Sequence, residues 1–570
     1  MKKILATSLI AALAACGGSN NEEVVASAAM QGGPATPAVP ATPAQPGAAP
    51  ATPATPATPA QPDVPPGEPG APPATPTQPD ENAAALIEAY QGGLGDIALA
   101  QLATQNAQNA DVQRLAQRLV DHHTWLNEQW AQLAADQNVT LPTEPGAGFA
   151  DEQAALQGLS GAEFDQAFLT RTIERHRQLL TQLREQAGLA VTDTNGTNGT
   201  NGTNGTNGTN GTNGTNGTAP GAPANGEDGE ISPAQASRDL AMNAIPAVQT
   251  HLEAAKTIAG ASNPETFIQQ AYVGGLAEIA TATLAAERSE NEAVRDFAEQ
   301  MIEDHVRANI EIALLAELEG ITLEQTVPPE VRAALDDLAR MSEEDFDKAY
   351  MNFNVLAHES LVAQARAQAA NGGDPTVTAY AARVLPTLDE HREMARSIYE
   401  DVEPNLLFGA VASGWTEILL SQLAVQVSDN QQVQQFAQRM IDEHTAANRR
   451  AMQLAQANDR DLPTQVPAEA ALQYIRLSQL TGAEFDREFA DQNVAFHEDT
   501  LELFRNRQAD ETEQQIQTFA SETIPVLEDH LQDARTLAGQ INNNAANNGT
   551  GNNNGTGNNN DTANSNATAS

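Results

Sequence analysis

Nine of the ten histidines of this chain, and three carboxylates, recur at fixed intervals. His123 and His176, His305 and His358, and His444 and His497 are each 53 residues apart. His358 to His391 and His497 to His530 are each 33 residues. His176 to His251 is 75, so a surplus of 42 falls in the first copy. Asp96, Glu278 and Glu417 each stand 27 residues before the leading histidine. Equal spacing repeated three times marks an internal triplication. Three imidazoles and a carboxylate are the donor types of a single zinc or copper site. The same groups can also form a neutral, hydrogen-bonded layer that fixes the register of a core. The candidate metal ligands are Asp96, His123, His176, His251; Glu278, His305, His358, His391; and Glu417, His444, His497, His530. The cofactor they suggest is one transition-metal ion per copy.

The elements between these residues read as helices. In the middle copy, a first helix runs about 265–287 and a second about 290–319. The second opens on a capping box, Ser289-x-x-Glu292, matched by Ser428-x-x-Gln431 in the third copy. A connector with Pro328-Pro329 and a short helix follows. The third helix opens at Ser342-x-x-Asp345, matched by Ser160-x-x-Glu163 and Thr481-x-x-Glu484. The fourth runs from about Asp374-Pro375 to Tyr399. Two short turns and one long connector describe a four-helix bundle with one crossover. Residues at i±3, i±4 and i±7 share a helix face. Apolar neighbours such as Ala298, Met301 and Ile312 therefore turn His305 inward, with Asn309 one turn later; Asn127 and Asn448 repeat it. Gly92-Gly93 and Gly274-Gly275 precede the carboxylate by a turn and admit a close neighbour. Pro246, Pro386 and Pro525 lie five residues before the fourth-helix histidine. Their kink could free a carbonyl for an imidazole. Met301, Met351 and Met394 are read as core filling or as soft copper donors. His122 has no counterpart histidine and is expected to contribute little.

Composition bounds the rest. The chain has 570 residues, room for about three to five domains. The expected class is all-α, three tandem ferritin-like bundles at 81–260, 264–403 and 404–540. A net charge of −46 argues against nucleic-acid partners. Aromatics at 4% are too few for a large β-sandwich or a saccharide groove. One cysteine excludes disulfides, iron–sulfur clusters and thiolate zinc sites. Residues 1–15 read as a signal peptide ending in Leu13-Ala14-Ala15-Cys16, which resembles the bacterial lipobox. Cys16 is thus the expected lipidation site. Gly17, rather than Asp, follows it and favours the outer membrane of a bacterium, with the protein facing the periplasm or the surface. Residues 16–80 form a Pro/Ala/Thr-rich tether, 195–218 are eight Asn-Gly-Thr copies inside the first bundle, and 542–570 are an Asn-rich tail. No segment after the leader is expected to cross a bilayer.

Gly275-Leu276-Ala277-Glu278-Ile279, Phe297-Ala298 with Met301-Ile302 and Asp304-His305, and Leu385-Pro386 with Leu388 and His391 resemble the bacterial domain-of-unknown-function family 4142. The third copy repeats them at Gly414–Ile418, Phe436–His444 and Ile524–His530. The resemblance implies a secreted ferritin-like bundle and no established activity. A di-iron oxidase is disfavoured, because such sites use Glu-x-x-His on two helices and here the residue three before each histidine is apolar, as at Ile302 and Leu388. Asp304 and Glu390 adjoin histidines but are expected to point elsewhere. The first functional expectation is a non-catalytic, lipid-anchored structural or interaction module, with membrane contact through acylated Cys16 and a protein partner unknown. The alternative is metal binding (zinc, copper or iron) for storage, buffering or stress response. No nucleophile constellation supports an enzyme.

Overall fold

The computed structural model describes residues 81–146, 148–189, 231–324, 326 and 329–550. The expected signal peptide with Cys16, the expected tether and the Asn-Gly-Thr insert lie outside them. All regular structure among the described residues is helical. The first copy holds α1 (Glu81–Asn106), α2 (Ala110–Asp136), a short α3 (Phe149–Gln157), α4 (Gly161–Ala187) and α5 (Pro233–Ser262). The second holds α6 (Pro264–Arg288), α7 (Glu292–Glu319), short α8 (Pro329–Arg340), α9 (Glu343–Asn371) and α10 (Pro375–Asp401). The third holds α11 (Leu406–Val427), α12 (Gln431–Ala457), short α13 (Ala468–Leu477), α14 (Gly482–Asp510) and α15 (Gln514–Thr550). The last helix thus continues into the Asn-rich segment that composition alone reads as tail.

Within each copy the first helix packs on the second and third, and the fourth on the second and third. The second and third are therefore diagonal. They also start at the same end of the bundle: Asp165 at the head of α4 accepts from Gln108 N (2.9 Å) and Asn109 N (2.8 Å), just before α2. In the third copy Ser428, just before α12, donates to Asp486 of α14 at 2.6 Å. Parallel second and third helices need the long crossover, which is the ferritin-like connection.

The caps differ in detail from the sequence reading. The second helices are capped by Asn291 and Asn430, whose side chains accept from Ala293 N and Gln432 N at 3.0 Å. Ser289 and Ser428 sit two residues earlier, and their hydroxyls accept from Asn291 N and Asn430 N, both at 3.1 Å. Asparagine competes well for a cap, so helix starts here move two residues on. Ser160, Ser342 and Thr481 do occupy cap positions, but their hydroxyls make no capping bond.

The three bundles are not beads on a string. α5 is buried almost all round, from Ala241 to Leu252, because copies two and three both pack on it. α11 is buried along nearly its whole length. Leu126, Trp130 and Leu252 share one apolar cluster with Leu407, Val411 and Trp415. A helix apolar on every side belongs in such a junction. α11 is also long and apolar enough to cross a membrane, contrary to the expectation from sequence, and here that apolar surface is buried against α12, α13 and α14 of its own copy and against α2 and α5 of the first. Polar bonds tie the seams: Gln368 to Gly260 O (2.9 Å), Asn352 to Val466 O (3.1 Å) and Asn243 to Thr445 (2.7 Å).

Candidate metal centre

In the second copy α6, α7, α9 and α10 each turn one of the four recurrent residues into the core. Glu278, His305, His358 and His391 are all at most 5% exposed. Ring centroids lie 5.6 Å apart for His305–His358 and for His305–His391, and 5.4 Å for His358–His391. His358 Nδ1 is 2.9 Å from Asn354 O. A carbonyl only accepts, so Nδ1 carries the proton and the lone pair is on Nε2. His391 Nε2 is 3.0 Å from Asp304 Oδ2, which puts its lone pair on Nδ1. Both lone-pair nitrogens are buried and have no hydrogen-bond partner. Glu278 Oε2 lies 2.8 Å from His305 Nε2, close but without hydrogen-bond alignment. Burial pushes the Glu278 carboxyl up, but His305, His358 and His391 outweigh it and hold the group down at about 2. His305 is lowered by burial and, on balance, raised by Glu278. Glu278 thus favours the charged form of His305.

The third copy repeats the plan with one electrostatic difference. Centroids are 5.6 Å apart for His444–His497 and 5.3 Å for each of the other two pairs. His497 Nδ1 is 2.8 Å from Asn493 O, and His530 Nε2 is 2.6 Å from Glu443 Oε2. His444 Nε2, His497 Nε2, His530 Nδ1 and both oxygens of Glu417 are buried without a hydrogen-bond partner. The imidazole nitrogen in ionic range of Glu417, His497 Nδ1 at 3.4 Å, already serves Asn493. Burial therefore pushes the Glu417 carboxyl up to about 8, and it rests protonated. Burial likewise brings His497 down to about 4 and His444 well below its usual range.

The first copy departs from both. Arg175 Nε pairs with Asp96 Oδ1, and its other nitrogens reach Gly92 O (2.9 Å) and Glu152 (3.4 Å). His123 Nε2 faces His176 Nε2 at 3.4 Å, and Asp96 Oδ2 is 3.9 Å from His123 Nδ1. His176 Nδ1 still bonds Thr172 O at 2.9 Å. His251 Nε2 reaches Tyr474 of the third copy at 3.2 Å. Burial raises Asp96, but His123, Arg175 and His176 together hold it below its usual value.

The structure brings each four-residue set together and corrects several details of the sequence reading. His122 is not peripheral: it is 1% exposed, and its ring lies 4.9 Å from that of His251. Asp304 does not point away but holds His391, and Glu443 does the same for His530. These two residues could have been found, since an acid directly precedes the leading histidine in copies two and three. The carbonyls that bond imidazoles belong to Thr172, Asn354 and Asn493 on the third helices, not to turns opened by proline. Met301, Met351 and Met394 pack in an apolar cluster with Phe297 and Phe346.

A repeated small-to-polar contact locks the first two helices of each copy. A Cβ on Gly93, Gly275 or Gly414 would fall 2.0, 2.2 or 2.1 Å from the side-chain oxygen of Asn127, Asn309 or Asn448. Only glycine leaves room for the amide there. Two cavities border the four-residue sets. A cleft of about 460 Å³, lined by Leu180, Leu252, Phe353, Gln364 and Val466 from all three copies, reaches Glu278. A cavity of about 30 Å³ touches Glu443, His444 and His530. That is room for one ion or water.

No curated protein and no solved structure matches the chain. A family model matches three successive segments, 67–194, 249–398 and 400–537, one for each bundle. Those segments cover well over half of the sequence, and the protein belongs to the family described as Domain of unknown function (DUF4142), in three tandem copies.

Proposed function

We propose that this is a lipid-anchored, metal-binding protein of the bacterial cell envelope, holding a divalent transition ion in its bundle cores. The carrying observation is the pair of preset tautomers in copies two and three. His358 and His497 each spend Nδ1–H on a backbone carbonyl, and His391 and His530 each spend Nε2–H on a carboxylate. Each therefore aims a lone pair inward beside a third imidazole and a buried carboxylate. Outer partners of this kind orient metal-ligating histidines and raise their basicity. A purely structural layer would pair these nitrogens with one another or with donors, since an unmet buried polar group costs about 1–3 kcal/mol. Here His358 Nε2, His391 Nδ1, His497 Nε2 and His530 Nδ1 have no partner among the described residues. In copies two and three the three histidines place nitrogens within 4.8 Å of one another, and three imidazoles with an open fourth position suit zinc, with copper(II) next. The cleft at Glu278 supplies an entry path.

The test is zinc content of the full mature chain after desalting, against the double variant His305→Ala/His444→Ala as the baseline for loose binding to surface carboxylates. Zinc retained above that baseline supports the reading; equal content overturns it. The anchor rests on the Leu13–Cys16 lipobox. Cys16→Ala should move the protein from the membrane to the soluble fraction, and membrane retention of that variant would remove lipidation as the anchor.

A further inference from the structure

The three copies differ at four positions around the histidines, and the differences are concerted. The deep carboxylate is Glu278 and Glu417 in copies two and three but the shorter Asp96 in copy one. The residue before the third-helix histidine is Ala357 and Phe496, but Arg175. The residue before the leading histidine is Asp304 and Glu443, but His122. The residue before the carboxylate is Ala277 and Thr416, but Gly95. Gly95 makes room for the guanidinium, since a Cβ there would lie 2.8 Å from Arg175 Nη2.

We infer that Arg175 is a built-in cation that has taken the place of the ion in the first copy, so that the chain binds two divalent ions and not three. This rests on the metal-binding reading above. Copies two and three each set two carboxylates about the imidazoles, Glu278 with Asp304 and Glu417 with Glu443; the outer ones also pair with Arg307 and Arg439, but among the described residues no arginine or lysine pairs with Glu278 or Glu417. Copy one sets one carboxylate against one guanidinium, and that pair is already neutral. Asp96 spends one oxygen on Arg175 Nε and keeps the other 3.9 Å from His123. His122, His123 and His251 do place nitrogens within 4.8 Å of one another. None of the three such trios includes a carboxylate, but on the one in copy one two guanidiniums bear, Arg118 on His251 and Arg175 on His123. Gly95, Asp96 and Arg175 thus form a structural substitute for a metal centre, with Glu152 of α3 closing the outer side of the guanidinium.

Zinc stoichiometry of the full chain tests this, with His305→Ala/His444→Ala subtracted as baseline. The expected result is two ions in the wild type, two in His123→Ala, and three in Asp96→Glu/Arg175→Ala/His122→Asp. Should His123→Ala fold poorly, His251→Gln reads the same site. Three ions in the wild type, or loss of one ion on changing His123 or His251, overturns the inference while leaving the metal reading intact. A triple variant that folds with a normal helical signal but still holds two ions also overturns it. Zero specific ions in the wild type removes the metal reading itself, and this inference with it.

Discussion

Asp304 Oδ2 lies 3.0 Å from His391 Nε2, joining the second helix of the middle copy to the fourth from 87 residues away. Its effect is to leave the lone pair on Nδ1. Glu443 and His530 repeat the relationship in the third copy. Asp304→Asn keeps the shape but can present an amide N–H to Nε2, which favours the wrong tautomer. Zinc affinity of the second copy should fall about 10–100-fold. Competition titration with a chromogenic chelator in a His444→Ala background, which leaves only that centre, reads it directly. Unchanged affinity would mean that the Asp304 contact does not set the ligand.

The Gly–Asn contact gives a prediction of sign. Gly→Ala inside a helix normally gains about 0.5–1 kcal/mol. A Cβ on Gly274 would meet nothing within 4 Å, so Gly274→Ala should stabilise slightly. Gly275→Ala instead drives a methyl onto Asn309, whose amide donates to Tyr272 O at 3.1 Å. The expected loss is about 1–3 kcal/mol, read by urea denaturation. Adding Asn309→Ala should recover part of it, because the two changes share one contact.

This contact also marks how far the sequence was legible. The period of 53 and 33 residues located the four helices and the inward residues, because a histidine that must reach a common point is pinned to one turn of each helix. The glycine pair announced a close approach, but not that the second glycine alone is needed. The packing of the copies on one another was not legible: α5 and α11 look like ordinary bundle helices until their all-round apolar faces find a common neighbour. Arg175 and His122 were hidden for a different reason. Reading for recurrence discounts whatever fails to recur, and these residues matter by being different.

The shared surfaces change what isolated copies should do. Residues 264–403 alone lose their contacts with α5 and with the segment around Val466 and Ala468, and expose Gln364 and Gln368. The fragment should melt well below the intact chain by circular dichroism. Equal melting temperatures would show that the inter-copy seams add nothing to stability.

Acid should weaken the metal-free fold. Burial brings His391 and His497 down to about 4, and lowers His358, His444 and His530 as well. Between about 4 and the usual 6.5 the unfolded chain therefore binds protons that the folded chain refuses, and stability falls as pH falls through that window. His305, raised by Glu278, and Glu417, raised by burial, work in the opposite direction, but they are two groups against nine lowered histidines, since His122, His123, His176 and His251 are lowered as well. Denaturant midpoints at pH 7 and pH 5 should drop together with bound zinc, since protons and metal compete for the same nitrogens.

Glu417 and Glu278 should respond oppositely to the same substitution. Glu417 is pushed up to about 8 by burial, against an ordinary value of 4.5. From about 4.5 to about 8 the unfolded chain releases this proton while the folded chain keeps it. The folded state binds more protons there, so Glu417 lowers stability progressively as pH rises through that window. His444, His497 and His530 face it as neutral imidazoles and offer no positive charge to reverse this. Glu417→Gln imitates the protonated acid and cannot ionise. Without metal it should be as stable as the wild type at pH 5 and more stable at pH 8. Glu278 is held at about 2 by its imidazole neighbours, so Glu278→Gln removes the anion that His305 needs and should destabilise at pH 7. Zinc inverts the comparison at position 417. The ion takes the place of the proton, so wild-type binding in the third copy should strengthen between pH 7 and pH 9, and Glu417→Gln should lose that dependence. Melting scans of the two variants, with and without zinc at pH 5, 7 and 8, measure all of these signs. Parallel behaviour of the two variants would show that the protonation difference between the second and third copies does not exist.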